Sequence, residues 1–482
     1  MQVGLIDWTG GYLTAQGCCG GALTALGASL GKKQTWELKV IRKCGEQTVV
    51  ELWGHQGQAL WVDPDGAVWC AQPEKQGQFL LEVHPSRTWT LQQAQSGKYL
   101  ESDGEDVFCI ARAVTSQHMW MPQLAMHAHV VLFNPHLQRY ARADPELSRV
   151  WVDTQVPSLE ECSFILRFRG GLYHLETANH KFVSRSEKLV QKPSVETAFH
   201  LTLKPGGLAV LADREGRLLY PHGSRGLLCL GDSPANNEEW FVIRRCPQWV
   251  SLRTRAKRYV TVICDSDVYA GSREVTPMSI FHLKVNSRSK SVQLKGINHS
   301  YLAQRDGKRV LANGCCREAK TCFHILWHYG KIFLRASNGC FLGTVPVGLV
   351  VARARRPGPS EEFELRLANR SFLLLRGCYG YVGSAPGHEV LQCNLLEPDC
   401  IELLPCKHSV YHLQTHGKSF WSLTSEKTFQ TWGKFGLNFC LEVRGNNRLA
   451  ILAPNGYYLR GDREGALMAD STEVTGESLW EF

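Results

Sequence analysis

Lys32 and Lys33 stand side by side in the run SLGKKQ, three residues beyond Ser29 and just before Trp36. Two adjacent ammonium groups can attract an acidic surface; taken alone, they equally suit a solvated turn. A larger basic concentration lies at residues 247–368, with 20 Lys and Arg against 8 Asp and Glu, a net +12. The rest of the chain has 34 against 37, a net −3, so the overall +9 resides in that third quarter. Its clusters are Arg253, Arg255, Lys257 and Arg258; Arg305, Lys308 and Arg309; and Arg353, Arg355 and Arg356. Such a field draws acidic partners over distance and weakens with salt. Nucleic acid is one acidic partner, but it requires aromatics interleaved on an open face. The nearby Tyr259 and Tyr301 are assigned to the core below, so nucleic acid is not expected.

Residues for bond-making chemistry are missing. Gly417-Lys418-Ser419 resembles the end of a phosphate loop, but the position five before Gly417 is His412, not glycine. There is no His-Glu-x-x-His. The eighteen cysteines include no Cys-x-x-Cys pair; Cys18-Cys19 and Cys315-Cys316 are adjacent, a poor spacing for metal ligands. No enzyme activity, cofactor or metal is expected. The start MQVGLIDWTG lacks a basic opening and an apolar segment, so no signal peptide is expected and the cysteines are read as free thiols of a cytosolic chain. On that reading Arg460-Gly461-Asp462 and the sequons at Asn298 and Asn369 are accidental. No apolar run approaches the ~20 residues that span a bilayer, so no membrane insertion is expected.

The elements that carry these residues repeat. Anchors recur about every forty residues at Tyr12, Ala59 (followed by Leu60), Tyr99, Tyr140, Phe182, Leu218, Tyr259, Tyr301, Phe341, Tyr381, Phe420 and Tyr458. A second ladder trails by about twenty: Trp36, Phe79, Trp120, Phe164, Phe199, Phe241, Phe281, Phe323, Phe363, Ile401, Phe439 and Trp480. Two ladders in fixed phase mean twelve copies of one unit, too small to bury its own apolar face alone. The units read as β: Phe281, Leu283 and Val285 alternate with His282, Lys284 and Asn286, and Asp-Gly or Asn-Gly turns recur. A forty-residue β unit suits a propeller blade or one third of a β-trefoil. The Gly-His…Trp-Asp pairing of common propellers is absent. Sugar-binding trefoils repeat Gln-x-Trp, which occurs here only at Gln34–Trp36 and Gln430–Trp432.

The segments GLIDWTGGYLTA, SLGKKQTWEL, VDPDGAVWC, ASNGCFLG, YLRGDREG and the terminal SLWEF resemble the fascin family of actin-bundling proteins along the whole chain. Within it the chain is most similar to the testis-type fascins. The resemblance implies an all-β fold of four tandem β-trefoils, three repeats each, agreeing with the count of twelve. The expected domains are 1–128, 129–246, 247–368 and 369–482. It also implies a non-catalytic cytoskeletal protein whose partner is filamentous actin, acting as a monomer.

On that resemblance Lys32 and Lys33 match the family's basic actin loop, and Ser29 its regulatory phosphorylation position. Arg460 matches a basic position near the C-terminus. Arg255, Lys257, Arg258, Lys308 and Arg309 are candidates for a second filament site. Two lysines common in the family are glycines here, Gly31 and Gly11, which implies reduced affinity. The alternatives are an interaction scaffold that has lost bundling and a carbohydrate-binding trefoil.

Overall fold

The structure, a computed structural model, describes every residue except 18–20, 45–46, 73–76, 205–206, 233, 235–236, 386, 407–409 and 416, and only the backbone of 43, 44 and 47. Cys18 and Cys19 thus lie outside the described residues. The chain is 53% strand and 5% helix, and each described helix is a single 3-10 turn.

Four closed β assemblies follow one another. In the first, Gln2–Ile6 pairs with Met121–Leu124, so the beginning meets the end. His129–Asn134 pairs with Phe241–Arg245 in the second, and Trp249–Thr254 with Phe363–Leu367 in the third. In the fourth, Arg376 bridges to Glu481. Three hairpins cap the third assembly, and their strands meet at Asp267↔Leu311 and Arg309↔Val351. This is trefoil architecture, built from antiparallel pairs that leave few open edges. The assemblies group into two compact units: residues 1–155 with 164–245, and 156–163 with 246–482.

Each unit repeats one device where its two trefoils join. In the first, the Leu124 amide donates to the Tyr173 hydroxyl at 2.8 Å. In the second, the Tyr411 hydroxyl meets the backbone of Leu367, and burial pushes its pKa up to about 12. An anchored tyrosine thus satisfies a main-chain group at each seam.

Every residue of the trailing ladder is buried, from Trp36 to Trp480. Its indoles also find acceptors: Trp36 donates to Leu13 O at 3.0 Å, Trp120 to Leu100 O at 3.1 Å and Trp480 to Leu459 O at 3.2 Å. The leading ladder needs a correction. Tyr12, Phe182, Tyr259, Tyr301, Phe341 and Tyr381 are buried, but Tyr99, Tyr140, Leu218, Phe420 and Tyr458 are only half-buried. The position that is buried throughout is the next one, as in Leu13, Leu100, Ala141, Leu219, Trp421 and Leu459. A register shift accompanies many anchors, as at Tyr140/Ala141, Tyr301/Leu302 and Tyr458/Leu459, whether the anchor is buried or half-buried.

Burial also governs the thiols. It pushes Cys109 and Cys229 up to about 12, and Cys393 and Cys440 up to about 11. These behave as small core hydrophobes, unreactive as nucleophiles in the folded chain.

Candidate filament-facing site

A recurring 3-10 turn places Lys32 and Lys33. Such turns precede core aromatics at Lys32–Gln34, Ser116–His118, Val195–Thr197, Pro277–Ser279, Ala319–Thr321 and Gly476–Ser478. The third residue of each turns inward or back: His118, Thr197, Ser279, Thr321 and Ser478 are buried. Gln34 does the same in the first turn, accepting from the Gly31 amide at 3.1 Å and donating to Thr14 Oγ1 at 3.1 Å. The first two positions therefore face water. Among the described turns, only the first carries two cations there.

The turn is held firmly. Gly31 N–H also reaches Ser29 O at 3.1 Å, Thr35 Oγ1 donates to Gly31 O at 2.8 Å, and Trp36 is fully buried next door. Lys32 and Lys33 are exposed and Ser29 is half-buried. The lysines have a neighbour that the sequence did not disclose. Exposed His55, at the mouth of another hairpin, has its pKa lowered by burial and then by the charges of Lys32 and Lys33. The two lysines and an imidazole whose protonation they disfavour therefore share this surface.

The two substituted glycines differ. At Gly31 an added Cβ would lie 2.8 Å from Gln34 Oε1, the mobile end of a side chain. At Gly11 it would fall on the Ala25 carbonyl oxygen, part of the backbone. Gly11 is therefore required by its own hairpin, and this backbone has no room for a lysine there.

The second unit holds the other candidates. Arg460 is half-buried on Tyr458–Gly461 and makes a double hydrogen bond to Asp470, Nε–Oδ1 and Nη2–Oδ2 each 2.7 Å. That bond raises its pKa and leaves a neutral pair at the surface. The same strand buries Gly461, and Asp462 Oδ1 accepts the Ala466 amide at 2.8 Å, so the Arg-Gly-Asp run is part of a hairpin. Asn369 is fully buried, and the Asn298 amide donates to Asp265 O and Ala312 O. Neither sequon presents a free side chain.

In the third trefoil, Arg255, Lys257 and Lys308 are exposed with no ion-pair partner among the described residues. Arg309 pairs with Asp267 at 2.9 Å, and Arg258 donates to Gly271 O at 3.1 Å. Arg305 meets Glu318 at 2.6 Å and Arg253 meets Glu364 at 3.4 Å. The basic clusters do not merge. Lys308 and Arg309 lie at the tip end of their hairpin, where Arg305 pairs with Arg309. Arg255, Lys257 and Arg258 lie at the opposite end of theirs, beside Tyr259↔Ser272. The two Gln-x-Trp runs also diverge: Trp36 is core, whereas Trp432 is exposed and donates to Gln430.

With this geometry in hand, comparison with known proteins gives the lineage. The profile described as Fascin domain matches residues 10–121, 144–242, 253–365 and 388–482. The chain belongs to the fascin family. Fascin-3 of Homo sapiens is 49% identical over all of this chain and 97% of its own length. Fascin-2 of Mus musculus is 29% identical over all of this chain and 98% of its own length. A designed three-fold symmetric protein, ThreeFoil, aligns at 14% identity over 24% of this chain and 96% of its own, with a TM-score of 0.22. Among the described residues, no helix is long and apolar enough to cross a membrane. As a fascin, the chain is of a structural lineage, and its cations are read as surface charges.

Proposed function

We propose that this fascin binds and bundles actin filaments in the cytoskeleton without catalysing a reaction. The observation carrying the proposal is the first-trefoil turn, where Lys32 and Lys33 occupy the two outward positions of a rigid 3-10 turn beside His55. Bundling needs a second contact. Exposed Arg255, Lys257 and Lys308 of the basic third trefoil supply the charge for it, with Arg258 and Arg309 half-committed to internal partners. Arg460 is a weaker candidate, because Asp470 already balances it. Phosphate on Ser29 would place about −1.5 to −2 charge near the lysines and weaken attraction to an acidic filament. The chain acts as a monomer in this reading, since two sites on one chain suffice.

A second reading, a scaffold that binds filaments without bundling them, is favoured by one observation: Gly11 cannot hold the family's lysine on this backbone. Pelleting with filaments at low and at high speed separates the two. Bundles pellet at low speed, and bound single filaments only at high speed. Charge-mediated contact also requires that binding weaken towards physiological salt, where the Debye length is about 8 Å.

A further inference from the structure

We propose that a cleft between the first and second trefoils of the first unit binds a small phosphate-bearing organic anion. The cleft is about 380 Å³, within the size range of small-ligand pockets. One side is apolar, formed by Met121, Pro122 and Leu172. The polar side presents Arg87, Arg214 and His200, and among the described residues no carboxylate lines the space.

The nearest acid is already committed. Asp213 accepts from Arg217 at 2.9 and 2.6 Å and from the amides of Glu215 and Arg217. Arg87 donates to the main-chain oxygen of Asp213 at 3.5 Å, and burial lowers its pKa against the opposing charge of Asp213. Burial and the charges of Arg87 and Arg214 lower the pKa of His200, with Asp213 opposing them. Its protonation is disfavoured, and the imidazole lines the same cleft as the two guanidinium groups. The apolar side stays open because residue 171 is glycine: a Cβ there would lie 2.8 Å from Met121 Sδ.

Guanidinium groups match the oxygens of phosphate, and two of them beside an imidazole fit a dianion. The apolar wall suits a ring or an acyl stem carried by that phosphate. The ligand could be a free nucleotide or a phosphorylated lipid headgroup, which share this chemistry. Because the lining comes from both trefoils, an occupant ties one to the other.

Isothermal titration of the full chain tests this with inorganic pyrophosphate, ATP and inositol hexakisphosphate at constant ionic strength. Saturable one-to-one binding is expected, with ATP tighter than pyrophosphate because of the apolar wall. Inositol hexakisphosphate exceeding ATP by tenfold or more would assign a headgroup as the source and still support the site. Arg214→Gln lies on an exposed side chain and should weaken binding at least tenfold; Arg87→Gln should do likewise. No saturable binding by any probe, or both variants binding as tightly as the natural chain, would overturn the proposal. No filament enters the assay, so its outcome is independent of the actin reading.

Discussion

Glycine at two positions limits how much charge the first-trefoil surface can carry, and the two positions respond differently. Gly31→Lys displaces only the end of Gln34 and adds a third cation to the turn. Filament affinity should rise about two- to fivefold, the scale of an exposed charge pair. Gly11→Lys meets the Ala25 backbone and should lower stability by more than about 1 kcal/mol, read from urea unfolding, without that gain. If Gly11→Lys folds as well as the natural chain and binds better, the steric account of Gly11 is wrong. Single residues also set a pH dependence. Burial against Trp249 holds His282 down to about 4, with Lys284 and Lys295 adding to the effect. An unfolded chain has this group near 6.5. Between these values the unfolded chain takes up a proton that the folded chain refuses. Stability therefore falls as pH drops from about 6.5 towards 4, by up to about 3 kcal/mol from this group. Urea midpoints at pH 7 and pH 5 should differ less in His282→Gln than in the natural chain; equal differences would contradict the assignment. The Lys32–Lys33 turn was legible in the sequence because its two neighbours in chain order carry the signal. His55, the Arg460–Asp470 pair and the Arg309–Asp267 pair were not, because each joins residues on different elements.

Among the elements, the hairpin is the unit, and its two aromatic ladders have different jobs. The trailing ladder was fully legible because every member is an apolar residue that enters the core directly. The leading ladder has the same period, so the sequence could not show that the position buried in every repeat is the one after the anchor. Stability should separate the two. Phe164→Ala empties a fully buried site and should cost about 3–5 kcal/mol. Tyr140 is half-buried and packs against Phe133 while its hydroxyl meets Arg244. Tyr140→Ala should cost under about 2 kcal/mol, and Tyr301→Ala, buried in its own repeat, should stand with Phe164→Ala. Equal losses at Tyr140 and Phe164 would reject the division of labour. The 3-10 turns explain why the basic pair faces water: their third residue is spent on closing the turn, which leaves the first two positions outside.

At the scale of the whole chain, repeat counting and family resemblance led to four closed trefoils, and strand pairing gives four. The positive charge of the third trefoil was legible as a sum and misleading as a picture. Half of its acids are spent on neighbouring arginines and lysines, through Asp267, Glu318, Glu362 and Glu364, and its clusters occupy opposite hairpin ends. Two separated filament contacts on one chain are the central claim. Its most direct test is to pellet filaments at low and high speed with the natural chain and with Lys32→Glu, Lys33→Glu combined. The account predicts that the natural chain brings filaments down at low speed. The charge-reversed chain should lose most of that bundling yet still pellet with filaments at high speed, held by its second contact. A charge-reversed chain that bundles like the natural one would contradict the account.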